Sequence, residues 1–164
     1  MLRDLFPRLK KLIFLNKEVK IEELLPLMKE QLDNGKTVSF VPRGNSMRPM
    51  LGNGTDMVIL KKPGDRLHLS DVAFYYRRET GAYSIHRVVG FQKDGSYIML
   101  GDNNVAKEYN IKPEDIIAVV SAFYHKGKMY EVSHFGYRVY CELLFYFRPI
   151  RRMYISFRNK IKRG

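Results

Sequence analysis

Residues 37–60 read TVSFVPRGNSMRPMLGNGTDMVIL. Before this stretch, apolar residues recur at helical spacing. From Thr37 the period changes to two. A strand-like run leads in through Val38, Phe40 and Val41, and a second leads out through Met57, Val58, Ile59 and Leu60. Between them lies a turn that carries a serine, with Gly44 two residues before Ser46 and Pro49 three after it. Short alternating runs of this kind are the mark of half-buried strands. Outward from here the pattern repeats, with strands predicted near 37–42, 56–61, 71–77, 83–90, 96–101, 116–124 and 128–132. Turn signals separate them: Gly52-Asn53-Gly54, Pro63-Gly64-Asp65, Thr80-Gly81, Asp94-Gly95 and Lys126-Gly127. Strands this short and this regularly spaced predict a mainly β, α+β architecture. The expectation is a compact antiparallel β domain, partly barrel-like, with amphipathic helices at both ends.

The chain of 164 residues suits a single domain. Its three parts are N-terminal helices over 1–36, a β body over 37–134, and a basic aromatic helical tail over 135–164. Residues 2–14 place Leu2, Leu5, Phe6, Leu9 and Ile13 on one helical face, although Pro7 argues against helix before it. Leu24, Leu25, Met28 and Leu32 predict a helix over 21–34 that stops at Gly35, with Pro26 fitting only a first turn or a kink. Residues 135–162 look helical and broken near Pro149.

The net charge of +12 is unevenly placed. Residues 1–20 hold six Lys/Arg against two Asp/Glu, residues 135–164 hold eight against one, and the middle is nearly balanced. Basic ends imply an anionic partner. In the tail, aromatic residues interleave with Arg and Lys, a pattern suited to a water–lipid interface. The expected partner is an anionic membrane surface, met through residues 1–20 and 135–164. Nucleic acid is disfavoured, because the neutral body offers no basic groove and no recognition-helix motif is visible. No uncharged apolar run of spanning length occurs and residues 1–8 lack a secretory apolar centre. The expected location is therefore cytoplasmic, or peripheral on the inner face of the plasma membrane. The single cysteine, Cys141, excludes an internal disulfide or a multi-cysteine zinc site, and it reads as an apolar spacer.

Serine is a poor nucleophile until a base takes its proton. Of four histidines, His68, His125 and His134 read as surface or satisfied groups. His86 lies mid-strand in Ser84-Ile85-His86-Arg87-Val88. An imidazole, with an unperturbed pKa of roughly 6.5, suits general-base work near neutrality. A third group should orient it, and Asp102 in Gly101-Asp102-Asn103-Asn104 opens a loop after a strand.

Together these pieces resemble one family. The Ser46-Met47-x-Pro49 box, the Asp71-Val72-Ala73-Phe74 strand, Ile85-His86-Arg87-Val88-Val89-Gly90 and Gly101-Asp102-Asn103-Asn104 follow one another as do the boxes of type I signal peptidases and the self-cleaving SOS-type repressors. The resemblance covers residues 37–122. His86 in place of lysine is similar to the endoplasmic-reticulum and sporulation-type branch, although the transmembrane anchor usual in that family is missing from the reading of residues 1–36.

The resemblance implies a serine endopeptidase that cuts an extended precursor or leader peptide. Ser46 would be the nucleophile, His86 the base and Asp102 the acid that orients it. Glu108 stands near the place of a second acid. The Ser46 N–H would serve the oxyanion, with Met47 and Pro49 forming the wall beside it. Gly44 supplies no hydroxyl there, as some family members do. No cofactor or metal is implied. The rival expectation is a non-catalytic membrane-surface or peptide-binding module derived from a peptidase.

Overall fold

The computed structural model describes residues 21–161, apart from the side chain of Asn159. The expected helix over 2–14 lies outside the described residues. Helix α1 spans Ile21–Asp33 and buries Leu25, Met28 and Leu32 at spacings of three and four. Pro26 lies inside it, where its ring removes one ladder hydrogen bond. Gly35, at φ +71°, accepts the left-handed turn that ends the helix.

Eight strands follow: β1 (Val38–Phe40), β2 (Met57–Lys61), β3 (Val72–Arg77), β4 (Ala82–Phe91), β5 (Tyr97–Leu100), β6 (Glu108–Ile111), β7 (Ile116–His125) and β8 (Lys128–Glu131). They form one antiparallel sheet in the order β1-β2-β7-β3-β4-β5-β6, with β8 on β7. The fold is α+β and mainly β, and the two ends of the sheet do not meet as a closed barrel. Sequence reading located seven of the eight strands. It missed β6, whose Glu-Tyr-Asn-Ile run is too short and polar to signal a strand.

Strand β3 sits near the middle and is buried on both faces. Val72 and Phe74 join a core with α1, the serine turn and β2, while Ala73 and Tyr75 join a second core with Val88, Tyr97 and Met99. The alternation of side chains along a strand produces this division. On β4 it has a functional consequence. Ile85 lies in the first core and Val88 in the second, so His86 and Arg87, one residue apart, point to opposite faces.

Two helices close the described chain, α2 (Phe135–Tyr146) and α3 (Arg148–Ile161). His134 caps α2 by accepting from the Gly136 N–H at 3.1 Å. Pro149 falls in the first turn of α3, where its missing N–H costs nothing. Among the described residues, no helix is long and apolar enough to cross a membrane.

Candidate active site

The serine turn is pinned from three sides. Met47, Met50 and Leu51 sink into the first core, each under 5% exposed. Gly44, at φ +117°, donates its N–H to Asn53 Oδ1 at 2.7 Å. From the loop after β5, the Asn103 N–H donates to the Ser46 carbonyl at 2.7 Å, and Asn103 Nδ2 donates to the Asn45 carbonyl at 3.1 Å. The loop approaches so closely that a Cβ on Gly101 would stand 2.7 Å from the Ser46 carbonyl oxygen. Glycine is needed at 101 for that approach.

His86 is buried, yet its ring is fully specified on one side. Nδ1 lies 2.9 Å from the Tyr75 hydroxyl and 3.0 Å from Glu108 Oε1. The Tyr75 proton is committed to Glu108 Oε2 at 2.6 Å. Both neighbours of Nδ1 therefore offer oxygen lone pairs, so Nδ1 carries the ring proton. In the neutral imidazole Nε2 is then the acceptor. Arg77 Nε braces the same carboxylate from 3.0 Å. Burial pushes the Glu108 carboxyl up, but the bonds from His86 and Tyr75, with the charge of Arg77, hold it below the ordinary glutamate range. Burial, and then the Glu108 carboxylate, push the Tyr75 phenol far above its ordinary range, so it stays a donor.

Asp102 does not meet His86. It takes a two-pronged bond from Arg87, Nε to Oδ1 at 2.8 Å and Nη2 to Oδ2 at 2.7 Å. The reason is the strand's alternation: His86 faces one way, Arg87 the other, and Asp102 lies on the Arg87 side. Arg87 also donates from Nη1 to the Ser70 carbonyl and to the Tyr137 hydroxyl, each at 2.9 Å. Its remaining contacts are Cys141 Sγ at 3.3 Å and Met50 Sδ at 3.4 Å. Burial alone would pull the guanidinium pKa down, but Asp102 holds it well above the ordinary value. The pair thus anchors the loop after β5 to the serine turn and to α2. Cys141 is a contact of this network as well as a buried spacer.

Ser46, His86, Glu108 and Arg77 line one open cleft of about 830 Å3, with Ser84, Asn103 and Asn104 among its other walls. Met47 and Pro49, expected as wall residues, do not line it. Met47 instead roots the turn in the core, and Pro49 is exposed. The other histidines have separate roles. His125 Nδ1 meets the buried Asp56 Oδ2 at 2.5 Å, His134 caps α2, and His68 is largely exposed beside Asp71. Among the described residues, no group of three or more His, Cys, Asp or Glu side chains could hold a metal ion.

Tyr75 and Arg77 escaped the sequence reading. Their one available signal was parity: Tyr75, Arg77 and Glu79 alternate along and beyond β3, and the antiparallel register sets Tyr75 opposite Ser84, two residues before His86. Neither a family model nor a curated protein matches the sequence.

Proposed function

We propose that the chain is a serine endopeptidase of signal-peptidase type, cutting an extended precursor or leader peptide. One observation carries this reading: Ser46 and His86 share a cleft, and His86 Nδ1 is held by Tyr75 and Glu108, an arrangement that leaves Nε2 as the acceptor. In the proposed reaction His86 Nε2 takes the hydroxyl proton as Ser46 Oγ attacks the peptide carbonyl. The imidazolium then returns that proton to the leaving amine. Water, activated by the same nitrogen, hydrolyses the acyl-serine. Glu108 is the acid that orients His86 and offsets its developing charge, the part expected of Asp102. The Ser46 backbone N–H serves the oxyanion, a donor worth ~3–4 kcal/mol in acyl transfer.

The substrate would bind as an added strand. On β4, the partners of β5 are confined to Arg87–Phe91. Among the described residues, no strand pairs with the outer edge of β4 from Ala82 to His86. Backbone hydrogen bonds along such an edge hold an extended peptide without demanding much of its sequence.

The test is digestion of a pool of unstructured peptides with small side chains, read by mass spectrometry. Wild type should cut defined bonds, and Ser46→Ala and His86→Ala should cut none. The same bond cut by Ser46→Ala would refute the assignment.

A further inference from the structure

Helix α3 is turned inside out for a protein in water. Ile150, Met153, Tyr154, Phe157 and Ile161 recur at i, i+3, i+4, i+7 and i+11, which puts them on one face. A surface helix ordinarily buries that stripe. Here all five residues are at least 60% exposed, and on α3 Ile155 alone is buried among the described side chains. The arginines do the reverse. Arg151 Nη2 donates inward to the Arg48 carbonyl at 2.7 Å, and Arg158 Nη2 donates to Asn103 Oδ1 at 3.2 Å. Helix α2 continues the pattern. Phe135, Val139 and Leu143 are exposed along one side, and Phe145, Tyr146 and Phe147 are exposed at the junction with α3.

We propose that the outer face of this helical hairpin is a docking surface for an anionic lipid bilayer. Exposed apolar area this continuous calls for an occupant. Charge selects which one. Residues 135–164 carry eight Lys/Arg and one Glu. Arg152 and Lys160 are exposed on α3 itself. A second copy of the chain would set two such faces against each other. The chain's own residues 1–20 carry six Lys/Arg against two Asp/Glu and would be repelled as well. Nucleic acid would satisfy the cations but leave Ile150, Met153 and Phe157 in water. A bilayer with anionic headgroups satisfies both: the apolar stripe enters the acyl boundary, the tyrosines sit at headgroup level, and the cations meet phosphates. The inward bonds of Arg151 and Arg158 fasten this surface to Arg48 and Asn103, the two flanks of Ser46. Docking therefore fixes the serine turn relative to the membrane.

The experiment is flotation of the full chain with vesicles of phosphatidylcholine, with and without phosphatidylglycerol, at low and high salt. Wild type should float with the anionic vesicles, less with neutral ones, and less at high salt. The doubly substituted Met153→Glu/Phe157→Glu protein should partition at least about tenfold more weakly. Both positions are exposed, so its circular dichroism and melting curve should match wild type. Arg152→Glu/Lys160→Glu should lose the preference for anionic vesicles. The proposal is overturned if wild type stays unbound or if Met153→Glu/Phe157→Glu floats equally well. Self-association that this variant abolishes, without vesicle binding, would overturn it too. So would RNA displacing the protein from anionic vesicles.

Discussion

Tyr75 donates its phenolic proton to Glu108 Oε2 across 2.6 Å, and the Tyr75 hydroxyl oxygen itself lies 2.9 Å from His86 Nδ1. The hydroxyl is thus a relay between carboxylate and imidazole, held by a side chain that is itself wholly buried. Tyr75→Phe keeps the ring and its packing but removes both contacts. Removing one partner of a buried hydrogen bond costs about 1–3 kcal/mol. The expected result is a fall in kcat of roughly ten- to a hundredfold with KM little changed, by the tenfold-per-1.36 kcal/mol relation. Steady-state kinetics on a cleaved peptide would check it, and an unchanged kcat would remove Tyr75 from the machinery.

The two acids should fail differently. Glu108→Gln leaves the fold in place and withdraws the charge that stabilises the imidazolium, so kcat should drop on the order of 10³-fold or more. Asp102→Asn leaves Arg87 buried without its counter-charge. Breaking one side of a buried ion pair costs about 3–5 kcal/mol. Urea denaturation should show that loss for Asp102→Asn and a smaller one for Glu108→Gln. The reverse pattern would restore Asp102 as the acid that orients His86.

Gly101→Ala tests the contact between the loop and the serine turn. The added methyl would stand 2.7 Å from the Ser46 carbonyl oxygen and 3.0 Å from Ser46 Cβ, so the turn must move. A displacement near 1 Å at a reacting group costs about 10²-fold in rate. Activity should fall by that order, and Gly64→Ala, where a Cβ meets nothing within 4 Å and φ is not positive, is the matching control. Equal activity in the two variants would mean that the loop does not position Ser46.

Acid should destabilise the fold through Asp56 as well as Glu108. Burial pushes the Asp56 carboxyl up, but the bond to His125 and the Gly52 N–H, 2.6 Å away, hold it below its ordinary value. A carboxyl whose folded pKa is depressed contributes stability that is present above its unfolded value of roughly 3.9. That contribution is lost as pH falls through the folded value. The melting temperature of wild type should therefore drop as pH is lowered below about 4. Asp56→Asn should melt lower at neutral pH and show a shallower drop. Parallel curves for the two proteins would remove Asp56 as a source of acid sensitivity.

Much of this was legible in the sequence because strands and turns write short-range signals. The period-two runs around Ser46 and His86, and the Gly-bearing turns between them, placed seven strands. The edge strand β6 left no such trace, because Glu108-Tyr109-Asn110-Ile111 owes its form to pairing with β5. That omission hid the partner of His86. With β6 unseen, the resemblance alone marks Glu108 as a second acid, and Asp102 reads as the acid that orients His86. Strand parity sends Arg87 to the face opposite His86, but only three-dimensional proximity shows that Asp102 lies on the Arg87 side. The tail was legible as helical, aromatic and basic. Which of its faces meets the body depends on long-range contacts such as that of Arg151 with Arg48.

The central claim is that the His86 ring carries its proton on Nδ1 and keeps Nε2 as the acceptor toward Ser46. Long-range ¹H–¹⁵N correlation spectra of the histidine rings, recorded on the alkaline side of neutrality and assigned with His86→Asn, measure this directly. The account predicts the Nδ1–H tautomer for His86 in wild type, and a mixture of tautomers in the Tyr75→Phe/Glu108→Gln protein. An Nε2–H tautomer in wild type would contradict it, because the nitrogen meant to receive the serine proton would already hold one.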